Sequence, residues 1–322
     1  MDELYETAEE LPDVSRHEVH AHNEETDEWS QIPYRDSLWT DDGRATGIVS
    51  SSEDFYNVIQ YGDILDAVGT QIERYQDSMD IDVGGRVSLS PTAHKMSAKL
   101  DFDGDTTVYA DEDDPVQLGL KVRSGHSGLH GLKYDVGAER QICSNGMMAF
   151  ISDMHFEQTH NDPFQPQLAY QAVDSVMESP DEVERRIQEA QEYEFLNQDE
   201  ALLVLLDLGI DDYLETPVPD LLNALHDEVD GDQPTLWETY NAATNALTHY
   251  SEDIPEYELD RGYERAAQLL ETGYSDLPNP EKMGSDVVES RASQLIESEG
   301  EEYWDGEHET VRELMEEREI TA

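Results

Sequence analysis

The chain has 322 residues, 76 acidic against 19 basic, for a formal net charge of −57 at pH 7. A single cysteine excludes an internal disulfide and any multi-cysteine metal site, and no run of the sequence approaches the ~18 apolar residues of a membrane span. Acid is spread from end to end while 37% of residues stay apolar, so the composition points to a folded protein of a salt-adapted cell; at about 1 M salt the Debye length is ~3 Å, which screens the self-repulsion.

The N-terminus, MDELYETAEELPD, is acidic and lacks the basic-then-apolar pattern of a secretion signal, so the expected location is cytoplasmic. Residues 1–50 are polar with isolated aromatics (Trp29, Tyr34, Trp39) and read as an N-terminal arm, partly irregular. From Asp63, Ile64, Leu65, Val68 and Ile72 recur at helical spacing. The period then changes. GRVSLSP, KMSAKLDF, TTVYAD, VQLGLKVRS, LHGLKYDV and RQICS are short and β-rich, separated by Gly, Asp or Ser clusters, which predicts an antiparallel meander.

After about residue 163 the strand pattern stops. Ser179-Pro180-Asp181-Glu182 has the form of a capping box with Pro at the first helical position, and Val183, Ile187, Ala190 and Tyr193 mark one face behind it. Asn197 with Glu200 resembles a second start, and Gly209 ends that apolar run as a C-terminal cap. Thr235 and Glu238 form a third box, followed by Leu236, Tyr240, Ala243, Leu247 and Tyr250 along one face. The expected fold class is α+β: a helix plus an antiparallel β-meander (51–162), followed by an all-helical C-terminal half (163–322).

The most informative local feature is missing acid. Val83–Leu100 holds no carboxylate but carries Arg86, Lys95 and Lys99; Val116–Ser152 holds only Asp135 and Glu139 against Lys121, Arg123, Lys133 and Arg140. Four of the five lysines lie in these two islands, while the stretch between them, Asp101–Pro115, carries seven acids. Burial in a sheet explains the missing acid; a face that meets a polyanion explains the retained cations as well. Because net charge reports habitat here, it neither favours nor excludes nucleic acid.

Three chemical readings compete locally. Asp101, Asp103, Asp105 and Glu112 match four positions of a calcium loop, but Thr106 stands where the turn needs Gly, so Asp-Gly reads as a hairpin turn. His126, His130, His155 and His160 are the set from which a metal site could be built; no carboxylate lies between His126 and His130, and no metal or cofactor is assigned. Cys143 as a nucleophile needs a lowered thiol pKa and a neighbouring base. A lone strand cysteine is ordinarily a small buried apolar group. No phosphate loop, dinucleotide fingerprint, hydrolase elbow or zinc-protease helix occurs, and no catalytic residue is assigned.

S-G-H-S-G (124–128), R-Q-I-C-S-N-G-M (140–147), F-E-Q-T-H (156–160) and T-L-W-E-T-Y-N-A-A-T (235–244) together resemble ordered blocks of the phage/plasmid-like family called domain of unknown function 932, in a haloarchaeal version. Ser127 stands where the family's H-D-G form carries Asp. The resemblance implies a gene of viruses, plasmids or integrated elements and work beside replication or recombination. It supplies no catalytic residues. Its motif positions Cys143, Asn145, Gly146, Trp237 and Asn241 are expected to be structural, with Asn145-Gly146 setting a turn and Trp237 and Asn241 bracing the helical half.

The leading expectation is a DNA-binding accessory protein, acting on single strands through the sheet. Arg86, Lys95, Lys99, Lys121, Arg123, Lys133 and Arg140 are expected at phosphates, and Tyr134, His126 and His130 at bases. The alternative is a non-catalytic interaction protein whose islands are buried in a core or an oligomer interface, with a histidine-based metal enzyme behind it.

Overall fold

Between Val14 and Ser50 the chain forms a three-stranded antiparallel sheet in the order β1-β2-β3: β1 (Val14–Asn23), β2 (Glu28–Thr40) and β3 (Ala45–Ser50). The arm expected over residues 1–50 is thus a sheet from Val14 onward. Its root buries Val14, Leu38 and Val49 against Tyr56 and Val58. Opposite Val19 of β1, β2 carries four residues, Ile32–Arg35, because Glu18 pairs with Asp36 and His20 with Gln31. Tyr34 in this bulge takes a φ of 63°. Beyond it the two strands continue as a ribbon with both faces wet, which is why no apolar period marks them in sequence. The computed structural model describes residues 8, 10–111, 114–140, 149–195, 198–214, 217–229, 231, 233–251, 254 and 256–271.

The second sheet contains β4 (Ile81–Leu89), β5 (Lys95–Gly104), β6 (Val108–Asp111), β7 (Asp114–Gly125), β8 (Leu132–Arg140) and β9 (Ala149–Gln158). Its order is β4-β5-β7-β8-β9, with β6 pairing the first part of β7 beyond the end of β5. Strand alternation sends Met96, Ala98, Leu100 and Phe102 of β5, Val116, Leu118, Leu120 and Val122 of β7, and Tyr134 and Val136 of β8 into the core. Helices α1 (Tyr61–Gln76) and α2 (Pro166–Glu178) pack on each other, and α2 contacts β7 and β8. Tyr75 Oη donates to Asp174 Oδ1 at 2.8 Å, Gln71 donates to the same oxygen, and Arg74 lies over the Tyr170 ring at 5.1 Å. Helix α2 therefore groups with the sheet, in a compact unit whose last segment is Phe150–Asp181.

The second unit takes most of α3 (Pro180–Glu192), then α4 (Gln198–Asp207), a 3₁₀ turn (Ile210–Tyr213), α5 (Pro217–Glu228), α6 (Leu236–His249) and α7 (Glu256–Glu271). Ala201 through Leu206 of α4 are all buried, as for a helix covered on every side. Gly209 ends that run in the left-handed conformation (φ 70°), and Arg265 donates to its carbonyl and to Asp212 at 2.6 and 2.8 Å. The capping box at Thr235 is formed in both directions: Glu238 N donates to Thr235 Oγ1 at 3.1 Å, and Thr235 N to Glu238 Oε2 at 2.7 Å. The box expected at Ser179 is not formed. Its hydroxyl donates back to the Ser175 carbonyl, and Glu182 is taken by Arg185 and Arg186, which hold its carboxyl well down, at about 2. Asn197 lies outside the described residues. The class is α+β, antiparallel sheets followed by helices, and among the described residues no helix is long and apolar enough to cross a membrane.

Candidate functional site

The cations of the acid-poor islands come from four strands, and register decides where they meet. Arg86 pairs with Lys99, Lys99 with Lys121, and Lys121 with Asp135. The next row toward the β4–β5 turn runs Ser88, Ser97, Arg123, Lys133, and Lys95 pairs with Gly125. Directly paired residues point to the same face, and so do residues two apart. Arg86, Lys95, Lys99, Lys121, Arg123 and Lys133 therefore share one face, opposite the apolar core. The islands merge, and buried strands alone do not account for their cations.

This face is graded along the strands. At one end Asp82 pairs with Asp103, and both are exposed, as are Asp80 and Asp105. At the other end stand Lys95, Arg123 and Lys133. His130 joins them because residue 125 is glycine: a β-carbon there would stand 3.0 Å from His130 Cβ and 3.0 Å from the His94 carbonyl oxygen. Burial, then Lys95 and His94, push the His130 pKa down. Several cations are met by carboxylates, Arg123 by Asp135 at 2.7 Å, Lys99 by Asp101 at 3.5 Å and Lys133 by Glu157 at 3.6 Å. Lys121 is engaged by a neighbour as well. Exposure differs: the Lys99 side chain is 13% exposed and lies flat, while Lys133 is 50% exposed and Arg86 and Lys95 are exposed, so the reachable charge is at the rim.

Two residues expected at bases are elsewhere. Tyr134 and His126 are fully buried and form no part of this face: Tyr134 holds an even-numbered position of β8, which turns inward, and His126 lies just past the end of β7. His126 instead sits in a cluster under the N-terminal sheet. Its ring centroid is 4.4 Å from that of Tyr61 and 6.1 Å from that of His160, and Tyr56 stacks on His160 at 4.7 Å with the rings 7° apart. His160 Nδ1 donates to the Asn57 carbonyl at 2.9 Å, and Tyr61 Oη donates to the Ala93 carbonyl at 3.1 Å. Burial, reinforced by His160, pushes the His126 pKa down to about 3. Burial also lowers that of His160, opposed by the carbonyls of Asn57, Gly125 and His130. Burial raises the phenols of Tyr56 and Tyr61 well above their ordinary range.

The four histidines considered for a metal separate: His126 and His160 meet, whereas His130 and His155 are exposed. Among the described residues no three His, Cys, Asp or Glu side chains converge on a metal position. Asp101 and Asp103 lie on β5, and the turn that follows is made by Gly104 (φ 89°), with Asp80 N donating to Asp105 Oδ2 at 2.8 Å. Glu112 lies outside the described residues, as do Cys143, Asn145 and Gly146. Arg140 pairs in register with Val116 at the end of β8. Trp237 and Asn241 are buried on α6, Trp237 stacking on Tyr240 at 5.5 Å. The sequence reading missed Tyr56 and Tyr61 as ring partners of the motif histidines. Nothing in the spacing of the two tyrosines announces them.

A family model described as Domain of unknown function (DUF932) matches residues 48–273, more than two thirds of the chain. No curated protein and no solved structure matches.

Proposed function

The chain belongs to that family of unknown function, and on this premise we propose that it binds a polyanionic strand, single-stranded DNA in particular, along the cationic end of its six-stranded sheet. One observation carries the reading: six Lys and Arg residues, drawn from strands of two separate sequence islands, share one face of a chain whose net charge is −57. Phosphates contribute most of such affinity and are contacted by mobile cationic heads. Lys95, Arg123 and Lys133 supply them at the rim, with Arg86 on the outer strand, and His130 adds a neutral ring that can hydrogen-bond. Without Tyr134 the contacts are to phosphates, so the binding carries little base preference. The same reading assigns the chain to the cytoplasm of a haloarchaeal cell, as an accessory protein of a virus or plasmid with no catalytic residue of its own.

Fluorescence polarisation with a labelled single-stranded oligonucleotide, read across a KCl series that keeps the protein folded, tests this. About four phosphate contacts give a slope of log affinity on log salt of roughly −3. Lys95→Glu and Arg123→Glu each weaken binding and make the slope shallower by about one contact's share. No binding at any salt that preserves the fold refutes the proposal.

A second reading rests on the ion pairs. A face on which Arg123, Lys133 and Lys99 already meet carboxylates suits a protein surface of mixed charge, including another copy of this chain. Light scattering then gives a mass above the monomer, and the same charge reversals dissociate it.

A further inference from the structure

The cluster beneath the N-terminal sheet presents an accounting problem independent of the nucleic-acid reading. Tyr56 Oη, Ser124 Oγ, both ring nitrogens of His126 and Nε2 of His160 are buried, and none of them completes a well-formed hydrogen bond to a protein atom. Their residues are at most 5% exposed. A buried polar atom without a partner carries the full penalty of its lost hydration, and several together weigh heavily against the narrow stability of a folded chain. Native interiors leave very few such atoms, and each one has a cause.

The contacts gather these atoms into one place. Tyr56 stacks on His160, the His160 and His126 rings are 6.1 Å apart, and Ser124 lies two residues before His126. The carbonyls of Gly125 and His130 also act on His160, so acceptors that a bridging molecule can share stand beside its ring.

We propose that Tyr56, Ser124, His126 and His160 form an internal binding site for ordered water, which ties the SGHSG loop, the end of the FEQTH segment and the chain before α1 into one hydrogen-bonded unit. The atom types specify the ligand. His160 Nδ1 donates to Asn57, so Nε2 of the neutral ring accepts. A water there donates one hydrogen to Nε2 and the other to the Gly125 or His130 carbonyl. The neutral His126 ring offers one donor and one acceptor, and the two hydroxyls can do either. An anion needs donors alone and a cation acceptors alone; this mixed set fits a molecule that is both. A buried water takes about three partners, so five orphan atoms plus two carbonyls support two waters. Among the described residues no third metal-ligating side chain joins the two imidazoles here.

The test removes single hydroxyls from the full chain. If water bridges the cluster, Tyr56→Phe and Ser124→Ala each break a formed hydrogen bond and raise the unfolding equilibrium constant about five- to tenfold in urea at constant molar salt and pH 7.5. If the cluster is dry, each change deletes an unpaired buried hydroxyl and leaves the constant unchanged or lowers it, which overturns the proposal. A high-resolution crystal structure supplies the second readout: ordered density in contact with at least two of the five atoms supports it, and a cluster without such density overturns it even where the variants unfold more readily.

Discussion

Lowering the pH should destabilise this protein through one buried ring, and His126→Leu isolates the effect. The pKa of His126 is pushed down to about 3 from an ordinary 6.5, by burial first and His160 second. Between those two values the unfolded chain binds a proton at this position that the native ring refuses. Stability therefore rises with pH across the window and is lost as pH falls from 6.5 toward 3. At pH 5 the loss is about 2 kcal/mol, since each pH unit within the window is worth about 1.4 kcal/mol. Other groups titrate in parallel, including carboxylates whose neutralisation relieves the acidic surface, so the raw stability curve is not diagnostic. The difference between wild type and His126→Leu is. Urea denaturation in constant molar KCl should show that difference shrinking by about 2 kcal/mol between pH 7.5 and 5, because only the wild type carries the titrating ring. A difference that is flat or grows on acidification refutes the reasoning.

Other consequences are equally specific. A β-carbon at Gly47 would stand 2.4 Å from the His126 carbonyl oxygen and 2.9 Å from Ser127 Cα, both main-chain atoms that cannot swing aside. Gly47→Ala should cost about 1–3 kcal/mol and lower the thermal midpoint by roughly 2–4 °C per kcal/mol, read by circular dichroism. An unchanged midpoint contradicts the close seating of β3 on the SGHSG loop. Thr235→Ala removes a reciprocal capping box and should cost about 1 kcal/mol, while Thr235→Ser should restore most of it in the same urea assay.

Much of this arrangement is written in periodicity. The strands from β4 to β8 announce themselves because one face meets a core, so apolar residues alternate; the helix after Thr235 does so through its cap. The N-terminal sheet does not, because β1 and β2 beyond the bulge bury neither face and leave no alternation to read. Residue counts alone mark the acid-poor islands. That Lys99 stands beside Lys121, and that Tyr134 turns inward while Lys133 does not, follows from register, which the pairing of distant strands sets. The same holds for His126 and His160, which stand 34 positions apart in two motifs. Their meeting is tertiary, and so is the placement of Tyr56 between sheet and histidine.

The bulge opposite Val19 also bears on how this chain can vary. Within a regular hairpin, one residue gained or lost sends every later side chain to the opposite face. Here four residues of β2 face one of β1, and the count restarts on either side of them. Lengthening or shortening the ribbon between His20 and Gln31 therefore leaves Leu38 opposite Arg16 and Val14 opposite Thr40. The ribbon acts as a free length ahead of a fixed body, and the family match, beginning at residue 48, starts only after it. Variants of this chain can carry ribbons of different reach on the same root without retuning the core on which that root stands.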